Sequence, residues 1–263
     1  MSTLARAIRA ALLQPDSRAK VMATRALVRD WRHGRLPFVF DVAMPAEPGR
    51  PDRPELLPPN RMPRRGKGGS ERGRLALWHS LAHIEFVAID LALDMAGRFG
   101  AEMGTAFVSD FLAVAADEAM HFALIERHLH ARGSHYGALP AHSGLWDAAR
   151  ATAHDVAARL AVVPLVLEAR GLDVTPITLE RVRAGGDKRG AAILERILDD
   201  EVAHVRCGST HFIALCESRS ESPEILWKNL VAEHFRGSVK PPFNDSARAA
   251  AGLPRSFYSG VAS

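Results

Sequence analysis

Two short stretches of this chain repeat one arrangement. Asp117-Glu118-Ala119-Met120-His121 and Asp200-Glu201-Val202-Ala203-His204 both read D-E-x-x-H. On a helix, residues i and i+3 share a face, so each Glu–His pair can point at one ion. The neighbours of each pair identify that face. One and two turns away from Glu118 stand Phe111, Val114, Phe122 and Ile125; around Glu201 stand Leu194, Ile197, Val205 and Gly208, with Phe212 beyond. The pairs therefore lie inside the apolar stripe that a helix turns toward a core. Glu85 has the same setting among Trp78, Leu81, Ile89, Ala92 and Leu93, and Glu168 lies among Ala161, Pro164, Leu165 and Leu172. Glu85 precedes Glu118 by 33 residues, and Glu168 precedes Glu201 by 33, a match that suggests a pseudo-two-fold site.

Four carboxylates meeting in one core need compensating charge, because even one unpaired buried charge costs several kcal/mol. Two imidazoles cannot supply it, whereas two divalent cations can. The order Glu, Glu-x-x-His, Glu, Glu-x-x-His is the ligand set of di-iron and di-manganese helical bundles. The expected metal ligands are Glu85, Glu118, His121, Glu168, Glu201 and His204. Oxygen-rich ligation with two imidazoles and no thiolate suits iron, or a manganese/iron pair, better than zinc or copper. Asp117 and Asp200 are placed to orient the ligand imidazoles. His79, His83, His142 and His154 are expected in ordinary packing or hydrogen bonds, and Arg170 in an internal salt bridge.

These residues must be positioned by long helices. The periodicity predicts helix A over 73–98, helix B over 104–131 stopped by Gly133, helix C over 146–171 and helix D over 187–216. Pro164 should kink helix C, and Pro176 should lie just beyond its end. A further helix is expected over 222–236, and one or two short ones in 1–35. Residues 44–70 are too rich in proline and glycine for regular structure and form an extended arm or flexible loop. The tail after 239 shows little regular pattern. No β alternation is visible, so the fold class is all-α. The link from Gly133 to Leu145 is long enough, at up to about 45 Å, to run the length of a bundle. The implied organisation is 1–72 as N-terminal helices and arm, 73–216 as a four-helix bundle, and 217–263 as a C-terminal helix and tail packed on it.

Cys207 and Cys216 lie too far apart on one helix to be bridged, which fits a reducing, cytoplasmic setting. No run of about 18 apolar residues predicts a membrane span, and the basic N-terminus lacks the features of a secretory signal. The net charge of +4 comes from Arg50 to Arg74, where eight Arg/Lys face three Asp/Glu.

The stretches HSLAHIEFVAIDLALD (79–94), DEAMHF (117–122), AHSGLWDAA (141–149), RLAVVPLVLEARGLDVTP (159–176), DDEVAHVRCG (199–208) and KPPFNDSARAAAGL (240–253) resemble a bacterial ferritin-like family described mainly as a domain of unknown function. The resemblance covers about residues 35–258. More distantly, the ligand order is similar to that of the tRNA isopentenyladenosine hydroxylases and other ferritin-like oxygenases. That resemblance implies a di-iron centre that binds and reduces O2. The expected activity is an O2-dependent oxidoreductase, a hydroxylase or oxidase of an organic substrate, with a separate reductase. A ferroxidase or iron-handling role needs the same six ligands and no organic pocket. A tRNA-modifying hydroxylase would use the basic arm 61–74 on a phosphate backbone, although stacking aromatics are missing there.

Overall fold

The computed structural model describes residues 2–63 and 70–261, and these are all-α. The one β feature among the described residues is an isolated parallel bridge between Leu56 and Ala141. The chain separates into two compact units, 1–146 and 147–263. The division cuts through the segment that the sequence sets out as one bundle.

In the first unit, α1 (Leu4–Leu12) and α2 (Ser17–Arg32) begin at side-chain caps. Thr3 accepts from the backbone N–H of Arg6, and Asp16 from that of Ala19. Both helices pack on α3 (Glu71–His130), which is capped by Ser70. α3 is two helical arms joined at Gly104, whose φ of 88° and ψ of −177° reverse the chain. A positive φ costs a residue with a Cβ, which is why glycine serves at this turn. The contacts of the arms are nearly symmetric about Gly104. Trp78 meets His128 with ring centroids 4.4 Å apart, Phe86 meets Phe122 at 5.3 Å, and a Cβ on Gly100 would lie 2.5 Å from Val108. Predicted helices A and B are therefore an antiparallel hairpin with a one-residue turn.

The described chain from Pro37 to Pro63, which includes most of the Pro-rich arm, is extended apart from a 3-10 turn at Pro59–Arg61 and is pinned by backbone hydrogen bonds. Leu4 and Ala5 donate to Pro37 and Val39, Gly49 to Leu12, and Leu57 to Ala141. The basic residues Arg64, Arg65 and Lys67 of the predicted arm lie outside the described residues.

One stretch of α3 is apolar enough in composition to resemble a membrane span. It is mostly buried and carries the buried acids Glu85 and Asp90, as the core helix of a globular protein does.

The second unit corrects the expected helix C. α4 (Gly144–Ala151) spans the division, and a new start follows at Asp155, which accepts from the N–H groups of Ala157 and Ala158. α5 (Val156–Val162) then runs through a π-helical turn, Val163–Glu168, into α6 (Ala169–Ala184). Within that turn Pro164 has no N–H to give, and the N–H of Ala169 bonds five residues back to the Pro164 carbonyl. The expected stop at Gly171 and Pro176 does not occur. Pro176 takes one hydrogen bond from the Leu172 carbonyl, and the Asn244 side-chain amide, donating at 3.2 Å, replaces it. The helix thus continues through a proline because tertiary structure satisfies the acceptor that proline orphans.

α7 (Lys188–Ser218) and α8 (Pro223–His234) match helix D and the helix expected after it. The tail is more ordered than its sequence suggests. It holds α9 (Asp245–Ala250) and α10 (Arg255–Tyr258), and Ser209 of α7 donates to the Ala251 carbonyl at 2.6 Å. Arg170 donates to the carbonyls of Lys240 and Pro242 and pairs with Asp173, so it fastens the tail. Neither Cys207 nor Cys216 is in a disulfide.

Candidate metal centre

The α3 hairpin builds one buried cluster. Glu85 stands on its first arm, Glu118 and His121 on the second. His121 Nδ1 lies 3.3 Å from Glu85 Oε2 and 3.4 Å from Glu118 Oε2. Ligand atoms of the three residues fall within 4.8 Å of one another, and Glu118 and His121 are fully buried. Because Nδ1 faces the carboxylates, it is the imidazole atom that would meet a cation held there.

The electrostatics suit a cation. Burial first, and the charge of Glu118 second, push the Glu85 carboxyl up to about 8. Burial opposes a charged imidazolium at His121, but the hydrogen bonds and charges of Glu118 and Glu85 override it and raise that group to about 11. Two carboxylates thus crowd into a dry site with one imidazole between them. A hard divalent cation would satisfy both acids at once and leave the imidazole neutral as a ligand.

The second unit carries the matching residues. Glu201 and His204 are buried one turn apart on α7. Glu168 is half-buried at the end of the π-helical turn. A Cβ on Gly208 would lie 2.4 Å from that of Pro164, and one on Gly171 would lie 3.9 Å from Glu201 Oε2. Those two contacts set an antiparallel register that places Glu168 level with His204. The hairpin of the first unit sets the equivalent register, with Glu85 level with His121. The equal 33-residue spacing read from the sequence therefore corresponds to equal helix-pair geometry within each unit.

The parallel extends to residues that the sequence reading passed over. Five positions after Glu85, Asp90 is fully buried and paired with Lys20 of α2. Five positions after Glu168, Asp173 is buried and held in a fork by Arg248 of α9, at 2.8 and 2.7 Å. Each lone ligand candidate thus begins an E-x4-D pattern, and each Asp is met by a cation from a helix outside the pair. Both patterns were visible in the sequence at matching offsets. Their partners were not, because Lys20 is 70 positions away from Asp90 and Arg248 is 75 from Asp173.

Asp117 is half-buried, and Asp200 accepts from Arg196 Nε at 2.6 Å along its own helix. His79 and His83 hold the loop after α3. The His79 ring accepts from the N–H groups of Gly137 and Leu139, and His83 lies 2.9 Å from both Tyr136 Oη and the His142 carbonyl. Burial pushes both imidazoles down to about 4, so they are neutral. His142 Nδ1 in turn accepts from the N–H of Gly144, and the rings of His154 and His234 meet edge to face. The same arm of α3 borders a largely apolar cavity of about 400 Å³, lined by Ala76, Ser80, Ile84, Leu139 and Leu145 among others.

Fold and cluster define the class: an all-α protein with a buried acid–imidazole cluster able to hold a metal ion. Residues 13–259 match the family described as "Protein of unknown function (DUF455)", and the chain belongs to that family. A Haemophilus influenzae relative described as "Uncharacterized protein" is 42% identical over 209 residues, which cover 77% of this chain and 72% of the relative. No solved structure matches the chain.

Proposed function

We propose that this chain is a ferritin-like, di-metal carboxylate oxidoreductase. In this reading Glu85, Glu118, His121, Glu168, Glu201 and His204 are the ligands of two iron ions, or of a manganese/iron pair. The observation that carries the proposal is the buried Glu85–Glu118–His121 cluster, with its imidazole nitrogen between two carboxylates. The second unit supports it by repeating the same residue types in the same helix-pair register. The donor set is oxygen-rich with one imidazole per triad, which fits iron or manganese.

Bound ferrous ions would supply the electrons that reduce O2. The side chains of the chain supply the rest. The carboxylates would balance the charge of the ions, the Nδ1 atom of His121 would be one of the donors, and the surrounding Phe111, Val114, Phe122 and Ile125 limit water. Asp117 and Asp200 are assigned to orienting the imidazoles. The cavity on the Glu85 arm supports an organic substrate over simple iron storage. Hydroxylation would draw electrons from a separate reductase. A tRNA substrate is the narrower alternative, resting on the basic arm.

The test mixes reduced, iron-loaded protein with O2 and follows iron oxidation against a Glu118→Ala, Glu201→Ala variant. The native chain should oxidise iron much faster. Equal rates would rule out the proposed centre.

A further inference from the structure

The outward face of α2 carries charge of one sign. At 3.6 residues per turn, Arg18, Met22, Arg25, Arg29 and Arg32 fall within about 80° of one another around the helix. All five are exposed. Lys20, Thr24 and Leu27 are buried on the opposite face, and α2 packs on α3. The four arginines of the stripe cover about 21 Å of helix axis. Residues 1–40 as a whole hold eight Arg/Lys and two Asp/Glu, a larger excess than that of the Arg50–Arg74 stretch.

The fold does not neutralise this stripe. The one acid within α2, Asp30, stands about 120° round the helix from Arg18. It is shared between Arg29 and Arg35, at 3.2 and 3.1 Å. Arg18, Arg25 and Arg32 form no ion pair among the described residues. Arg25 and Arg29 are four apart, and Arg29 and Arg32 are three apart, so like charges face each other along the helix and repel. An extended partner that brings negative charge along a line would relieve that repulsion.

A bilayer of anionic lipid fits less well, because it takes up apolar side chains beside the charges. The stripe offers Met22 alone. The exposed Phe38 packs on Trp31, with ring centroids 6.3 Å apart, and the Trp31 indole donates to Ser109 of α3. Trp31 stands about 140° round the helix from Arg18, so that aromatic group belongs to another side of α2.

We propose that α2 docks on the phosphate backbone of a nucleic-acid duplex through Arg18, Arg25, Arg29 and Arg32. A guanidinium fork matches phosphate oxygens. A duplex carries one charge per about 1.7 Å of its axis, so the stripe spans enough phosphates for all four arginines. Phosphate contacts carry no base information, and the binding is independent of sequence. The surface shares no residue with the proposed metal centre or with the 61–74 arm, and it does not rest on either.

Fluorescence anisotropy of labelled 20-base-pair DNA and RNA duplexes, titrated with the full chain across a salt series, tests this. Four phosphate contacts should weaken binding about a hundredfold between 50 and 200 mM salt. Combining Arg18→Gln, Arg25→Gln, Arg29→Gln and Arg32→Gln should lower affinity at 50 mM salt by tenfold or more, and Arg25→Gln alone should reduce the logarithmic salt slope by about one. The better-bound duplex identifies DNA or RNA as the partner. Removing metals by chelation should change nothing. Absence of binding to both duplexes, or undiminished binding by the fourfold variant, would overturn the proposal. So would tighter binding to phosphatidylserine vesicles or to polyglutamate than to either duplex. If the fourfold Gln variant fails to fold, the fourfold Arg→Lys variant decides: it keeps the charges, so the salt slope must stay, and a collapsed slope refutes the surface.

Discussion

The two proposed ligand triads are alike in spacing and unlike in how they are built. In the first unit the triad sits on a plain α-helical hairpin closed by Gly104, and its three residues are buried. In the second unit Glu168 is the last residue of a π-helical turn and remains half-buried, while Glu201 and His204 are buried on a regular helix. One triad is thus a rigid, dry set. The other carries one carboxylate on a locally distorted backbone with access to water. π-helical turns inside α-helices often mark functional positions. If the proposed function holds, the first triad would hold metal and Glu168 would adjust when the metal's partners change.

Removing a ligand from each side gives the largest effect. Glu118→Ala and Glu201→Ala should each weaken iron binding by more than about 100-fold, since even losing a residue that merely supports a ligand costs 10–100-fold. Glu168→Ala should retain more iron and lose more O2 reactivity than either. Iron per chain and stopped-flow oxidation measure this. Equal losses from all three would erase the proposed division of labour.

The buried ion pairs sharpen the comparison next. Lys20→Met leaves Asp90 without its cation, and Arg248→Met does the same to Asp173. Each should destabilise the fold by about 3–5 kcal/mol in urea unfolding. Replacing both partners, as in Lys20→Met with Asp90→Leu, should recover most of the loss. This pair also has a pH signature. Burial, only partly opposed by Lys20, raises Asp90 from 3.8 to about 6. Across that window the folded state keeps a proton that the unfolded state has released, so this group makes stability fall as pH rises. The double variant should lack that slope in unfolding curves taken across the window.

The helix-pair contacts come third. Gly208→Ala drives a methyl group to within 2.4 Å of the Pro164 ring and should cost about 1–3 kcal/mol. Gly104→Ala meets no neighbour and should cost about 1–3 kcal/mol through backbone strain alone, because its φ of 88° with ψ of −177° is open almost only to glycine. Thermal unfolding should show both losses. The smallest effect belongs to Asn244→Ala. Losing both the bond to the Leu172 carbonyl and the cap of α9 should cost about 1–2 kcal/mol.

Much of this was legible in the residues. Helical periodicity located both arms of the hairpin, α7 and α8, and the apolar flanks of Glu85, Glu118 and Glu201 foretold their burial. The signals that misled were local ones. Gly171 and Pro176 carry a stop message, yet α6 passes through both because Asn244, far along the chain, repairs the lost hydrogen bond. Asp155 carried a start message that a continuous apolar pattern concealed. The tail read as irregular because its short helices gain their stability from Arg248, Ser209 and Arg206 contacts rather than from their own pattern.

The sequence by itself determined which side chains are chemical and on which face of a helix each stands, because spacing along a helix is fixed by backbone geometry. Tertiary structure alone decided which atom of His121 meets the acids, which cation neutralises Asp90 and Asp173, and where a helix survives a proline. Those outcomes depend on groups scores of residues apart in the chain, and no local periodicity encodes which of them fold into reach.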